Sequence, residues 1–214
     1  MQFAIVVFDR FTALDAVGPY EVLSRVPGGE VVFVGEREGP VRTEVGSLAL
    51  TVDATFTDVP HPDVIVVAGG PGQNDHMSDG PMHRWLRRAD ATSTWTTSVC
   101  TGSLILAAAG LLAGRRATSH WLSLELLAEF GAVPTEERVV TDGKYVTAAG
   151  VSAGIDMAIG LVAAITDATV AQAVQLGIEY DPRPPFVAGS PRTAPPEVVA
   201  VVRGLRDFIR TGER

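Results

Sequence analysis

Only one cysteine, Cys100, occurs in the 214 residues. A lone thiol excludes an internal disulfide and a multi-thiolate metal site, and it fits a reducing compartment where a free thiol survives. Basic residues are also short: 17 Lys and Arg stand against 25 Asp and Glu, for a net charge of −8. An acidic surface argues against nucleic acid or an anionic membrane as a partner. Long hydrophobic runs are missing, since LILAAAGLLAG and MAIGLVAAI are too short to span a bilayer. The opening MQFAIVVFDR lacks the basic start and small-residue cleavage site of a signal peptide and reads as a strand. A cytoplasmic location is the expectation. Repeats, low-complexity tracts and composition breaks are absent as well. One domain over 1–214 is therefore expected, with a core over about 3–190 and a closing C-terminal helix over about 195–212.

What is present is a globular composition, 46% hydrophobic and 20% charged. The runs 4–8 (AIVVF), 30–36 (EVVFVGE), 63–72 (DVIVVAGGPG) and 93–99 (STWTTSV) read as strands, the first and third as fully buried. Short strands surround Gly46 over 39–56, and a hairpin about Asp142-Gly143 is expected over 138–149. Helices alternate with them. FTALDAVGPYEVLSRV carries Thr12 as N-cap and Pro19 as an expected kink or restart. Residues 78–90 turn Trp85 and Leu86 inward, and TGSLILAAAGLLAG ends at Gly110 or Gly114. Helices are expected over 120–132, 152–166, 168–180 and 197–212, with an irregular proline-rich loop over 181–196. Buried strands alternating with helices imply a three-layer α/β sandwich: an open, mostly parallel sheet with helices on both faces. Sites in such sheets lie at the carboxyl ends of strands, here Asp9–Asp15, Gly69–Gly72 and Cys100–Gly102.

Cys100 has two readings. Free cysteine is among the most buried residue types, which makes it a small apolar filler. Yet Cys100 follows a strand and precedes a helix, with Ser98 two residues before it and Gly102 two after. Small residues at both positions are what a nucleophile elbow requires, because the sharp strand-to-helix turn crowds them. A thiol there also meets the positive end of the helix dipole, which is expected to lower its pKa.

A thiolate nucleophile calls for partners. His61 lies in a turn, and His76 and His83 flank what reads as a surface helix. His120 follows RRATS, a short strand expected beside the Cys100 strand; it either approaches the site or caps the next helix. The turn Gly69-Gly70-Pro71-Gly72 offers amides for a developing negative charge, or is simply a tight turn. Asp15 lies between Leu14 and Ala16 at an apolar helix start. Facing the core, its carboxyl would have a raised pKa and could move a proton; facing solvent, it would only favour the helix dipole. Trp85 and Trp95 fit either a core or an interface.

The segments DAVGPYEVL, VVAGGPG, SVCTGSLILAAAGLLAGRRATSHW and TAAGVSAGIDMAIGLV resemble, in order and spacing, the PfpI/ThiJ superfamily over about residues 3–190. The resemblance implies the class I glutamine amidotransferase-like (flavodoxin-like) fold, and also a homodimer. Many members carry a glutamate near the cysteine. Asp15, Cys100-Thr101 and IEYDPRPPF (178–186) are instead similar to the branch that hydrates isonitriles to N-substituted formamides. That branch implies a cofactor-free lyase in which Cys100 is the nucleophile, Asp15 the general acid/base and Thr101 an assisting residue, acting through a covalent thioimidate. Gly70 and Gly72 are expected to serve the substrate with their amides. Gly150 would permit the following helix to shift. His120 matches a histidine found near the cysteine in the wider superfamily, although the hydratase scheme does not need it. No metal is implied. A cysteine hydrolase, a glyoxalase-like lyase and a cysteine redox sensor are the alternatives. The same motifs occur in sensory halves of certain AraC-type regulators, but an acidic chain ending at Arg214 without a basic helix-turn-helix region points to the enzyme.

Overall fold

The computed structural model describes residues 1–204. In chain order the first half carries strand β1 (Gln2–Val6), helix α1 (Ala13–Leu23), and strands β2 (Glu30–Gly35), β3 (Gly39–Arg42), β4 (Ala49–Val52), β5 (Ala54–Thr55) and β6 (Val64–Val67). Helix α2 (Pro81–Asp90), strand β7 (Trp95–Val99) and helix α3 (Gly102–Ala108) follow. Next come strands β8 (Arg116–Ala117), β9 (Val133–Pro134), β10 (Val139–Asp142) and β11 (Tyr145–Ala148). Helices α4 (Ala153–Ile165), α5 (Ala168–Gly177) and α6 (Pro196–Gly204) close the described chain.

Seven strands form the central sheet in the order β10-β11-β7-β6-β1-β2-β5. Only the β10–β11 pair is antiparallel. The continuous apolar runs become its middle: Ile5 stands between Phe33 on β2 and Val66 on β6, and Val67 pairs with Ser98 on β7. Strands sealed on both faces need apolar side chains in both directions, which is why these runs do not alternate. Helix α1 packs on α4, α4 on α5, and α2 on α3. This is the three-layer, mostly parallel α/β fold anticipated above, and the carboxyl ends of β1, β6 and β7 bring Asp15, Gly69 and Cys100 together.

Several local expectations change. Helix α1 passes unbroken through Pro19, without a restart. The stretch expected as a helix over 120–132 is a turn followed by a 3-10 segment, Leu124–Phe130, stopped by a left-handed Gly131 at φ 77°. The β10–β11 turn consists of Gly143 and Lys144, one residue later than expected, because Asp142 pairs with Tyr145. Strand β8 does not lie beside β7; it pairs with β9, and β11 takes the place next to β7. Trp85 belongs to the core, stacked on Phe56 at 4.9 Å with its indole N–H donated to the Val59 carbonyl at 2.7 Å. His83, on the same helix, is 1% exposed and not a surface residue. Of the closing helix expected to residue 212, α6 accounts for the part up to Gly204; the rest lies outside the described residues. No helix among the described residues is long and apolar enough to cross a membrane.

Candidate active site

Cys100 sits in the left-handed region at φ 58°, one of three non-glycine residues there among those described. For an L-residue this costs about 1–2 kcal/mol, so the surroundings must hold it. They do so from three elements. The Cys100 N–H donates to the carbonyls of Ala148 and Ala149 at 3.0 and 2.9 Å. Its carbonyl accepts the hydroxyls of Ser103 and Ser119, each at 3.1 Å. The turn also needs a bare residue at Gly102, where a Cβ would stand 2.2 Å from the Val67 carbonyl oxygen. Gly102→Ala should therefore cost about 1–3 kcal/mol by overpacking against backbone, measurable as a lower midpoint in urea denaturation.

Asp15, in the first turn of α1, is completely buried. Its Oδ2 accepts the Gly69 N–H at 2.9 Å, while Oδ1 is buried without a hydrogen-bond partner. Burial pushes the Asp15 carboxyl well above the usual carboxylate range; the Gly69 amide and the Cys100 thiol oppose this, and Glu44 reinforces it. The Cys100 thiol is likewise pushed well up, first by burial and then by the Asp15 charge, against donation from the Thr101 amide and hydroxyl. The expectation of a lowered thiol pKa is thus corrected. Helix α3 is only seven residues long, and its dipole is outweighed by desolvation and a neighbouring carboxyl. Burial is the largest cause of both shifts, and it favours the neutral form of each group.

Thr101 follows the nucleophile and turns its hydroxyl to Gly70, accepting the Gly70 N–H at 2.9 Å. The Gly70 amide is therefore spent on Thr101, and the Gly72 amide donates to the Arg10 carbonyl at 3.2 Å. The glycine turn orients its neighbours instead of presenting free donors. Gly69 must be bare for the same reason, because a Cβ there would stand 2.5 Å from the Thr101 nitrogen and 2.9 Å from Asp15 Oδ2.

Gly150 and His120 face each other, with a Cβ on Gly150 placed 2.3 Å from the imidazole Cδ2. His120 Nδ1 accepts the Leu122 N–H at 3.3 Å, and burial lowers the imidazole pKa, favouring the neutral ring. No hydrogen bond joins His120 to Cys100 among the described residues. Sequence reasoning missed Ser103, Ser119 and Glu44. Ser103 and Ser119 were visible only as small polar residues near the motif; Glu44 comes from the β3–β4 turn and had no local signal. A cleft of about 570 Å³ opens beyond the ends of β1 and β2, lined by Phe8, Glu36, Arg37 and His76 among others, and Cys100 does not line it. Cys100 itself is 4% exposed. No group of three or more His, Cys, Asp or Glu among the described residues is arranged to hold a metal ion.

Residues 1–164 match the DJ-1/PfpI family. The chain is 44% identical over 203 residues to the isonitrile hydratase of Pseudomonas putida, covering 95% of this chain and 89% of that protein. It is also similar to the crystal structure of a ThiJ/PfpI family protein from Pseudomonas syringae, with a TM-score of 0.94, 40% identity, and coverage of 99% of this chain and 88% of the other. A shorter likeness, 40% identical over 84 residues, joins 37% of the chain to 24% of the HTH-type transcriptional regulator CdhR of Pseudomonas aeruginosa.

Proposed function

The chain belongs to the DJ-1/PfpI family, and from that premise we infer that it is a lyase that adds water to an isonitrile, R–N≡C, to give the formamide R–NH–CHO. The observation that carries this reading is the completely buried Asp15 carboxyl at the Cys100 elbow, with Oδ2 held by the Gly69 N–H and the thiol acting on it. The 44% identity to an isonitrile hydratase supports it. The chemistry suits the space. The –N≡C group is linear and two atoms long, which suits a sulfur whose residue is 4% exposed.

The terminal carbon must gain both a proton and a sulfur. Cys100 attacks it while its thiol proton passes to Asp15 and a proton passes from Asp15 to the carbon. The product is the thioimidate R–N=CH–S–Cys100, with the carboxyl regenerated. Asp15 then passes its proton to the imidate nitrogen and takes one from water as the water oxygen attacks the same carbon. The C–S bond breaks and sulfur takes the second water proton. A covalent intermediate divides a hard hydration into two easier steps, and no cofactor or metal enters either of them. Thr101 stabilises the sulfur as charge develops there. Gly150 and His120, packed ring against backbone, are proposed to wall the side on which R lies, and Gly70 and Gly72 to serve the substrate through Thr101 and the shape of the turn.

Product analysis on alkyl and aryl isonitriles, with methylglyoxal as the competing substrate, tests the assignment. Formamide release is expected, and turnover of methylglyoxal alone would overturn it. Thr101→Val should lower turnover about 10²-fold through loss of the hydroxyl that ties the elbow to both backbone groups of Gly70 and so positions the site, with little change in KM. The free thiol is the reason to propose a reducing cytoplasm. A homodimer is proposed from exposed Leu14 and Tyr20 on α1, the helix that carries Asp15; sedimentation velocity reads it directly.

A further inference from the structure

Ser119 reaches the nucleophile through its backbone. It follows β8, is buried, and donates its hydroxyl to the Cys100 carbonyl at 3.1 Å. The Ser103 hydroxyl takes the second place on the same oxygen, also at 3.1 Å. Ser103 belongs to the first turn of α3 and travels with the elbow, whereas Ser119 lies 19 residues along the chain from Cys100. The residue before Ser119 is tied down in its turn. Thr118 donates its N–H to the Thr147 hydroxyl at 2.9 Å, and Thr147 is a buried residue of β11. That strand ends at Ala148, and the carbonyls of Ala148 and Ala149 accept the Cys100 N–H. The contacts close a ring: from the Cys100 N–H to the end of β11, through Thr147 to Thr118, and from Ser119 back to the Cys100 carbonyl.

We propose that Ser119 is a positioning residue of the site: its hydroxyl, held in place through Thr118 and Thr147, fixes the peptide that leaves Cys100 and so aims the sulfur. The direction of the Cα–Cβ bond follows from the two peptide planes that flank residue 100. Ala148 and Ala149 hold the entering plane. The leaving plane is held by its oxygen, and of the two hydroxyls there only that of Ser119 comes from outside the elbow. At φ 58° Cys100 stands where an L-residue does not rest by preference, so a loosened leaving plane lets it relax toward ordinary backbone angles. Relaxation swings the thiol. It also moves Thr101, whose hydroxyl accepts the Gly70 N–H. The proposal rests on the hydratase reading only for its kinetic consequence: a reacting sulfur displaced by about 1 Å loses up to about 10²-fold in rate.

The chain has one cysteine, so its S–H infrared stretch is a single reporter of how the thiol is held, and it needs no isonitrile. The wild-type protein should show one narrow band. Ser119→Ala removes the hydroxyl with little change of volume. Well below its unfolding temperature it should broaden or split that band, and it should lower kcat on an isonitrile about 10- to 10²-fold with little change in KM. Ser119→Thr keeps a hydroxyl and should return most of both effects. Thr147→Val keeps the shape of the strand residue and removes the hydroxyl that holds Thr118. It should act in the same direction, more weakly, and it carries the test if Ser119→Ala folds poorly. A folded Ser119→Ala that keeps the wild-type S–H band overturns the proposal, and so does one that keeps the wild-type kcat. If the wild-type protein makes no formamide but the band still broadens in Ser119→Ala, the hydratase reading fails while the placing of the sulfur by Ser119 stands.

Discussion

Cys100→Ala is expected to abolish formamide production, by at least about 10⁴-fold, since the chain has no second thiol and the covalent step disappears with the sulfur. Cys100→Ser should be nearly as inactive, because a hydroxyl in the same desolvated pocket gives up its proton far less readily than a thiol. The fold is expected to survive. The left-handed conformation at φ 58° is imposed by bonds to the backbone of residue 100, through Ala148, Ala149, Ser103 and Ser119, and these remain in any variant. Cys100→Gly sharpens the point. Glycine adopts that conformation without a Cβ penalty, so this variant should denature at or above the wild-type temperature while making no product. Thermal denaturation and chromatographic product analysis of the same preparations check both halves. Equal turnover in Cys100→Ala would remove the nucleophile from the mechanism.

Asp15→Asn should lower turnover by about 10²–10⁴-fold, the usual worth of a positioned acid and base. The amide keeps the shape of the side chain and keeps an oxygen for the Gly69 N–H, so packing is preserved. It cannot relay the thiol proton. A second, opposite effect on stability follows from the raised pKa of Asp15. At a pH below the ordinary carboxylate pKa, the acid is neutral both folded and unfolded. Above it, the unfolded chain releases the proton while the folded protein retains it, so the folded state is progressively penalised as pH rises toward the folded-state pKa. Asparagine carries no such penalty. The unfolding free energy of Asp15→Asn relative to wild type should therefore increase from acid to neutral pH, measured by urea denaturation at several pH values. A difference that is flat with pH would mean that Asp15 is not held neutral.

The layout of the sheet was readable because its middle strands are continuous Val and Ile runs, and a strand buried on both faces leaves that signature in a single sequence. The elbow was readable because Ser98, Cys100 and Gly102 obey a local steric rule. Asp15 stood out as a charge at an apolar helix start. What escaped depends on contacts between distant segments. Glu44 reaches the entrance of α1 only because the β3–β4 turn folds back on Phe11, and nothing near Glu44 in sequence announces it. The direction of the thiol shift escaped because a helix dipole is a local feature, whereas the burial that outweighs it belongs to the finished fold. The 3-10 character of Leu124–Phe130 and the pairing of β8 with β9 are tertiary outcomes that helical periodicity does not record.

A sulfur in a residue showing 4% of its surface is also a filter on what it can meet. Slim reagents are expected to modify it faster than glutathione disulfide and other bulky oxidants. The protein can thus carry a sulfur capable of covalent chemistry among cellular disulfides without being capped by them, a chemical selectivity that comes from access alone.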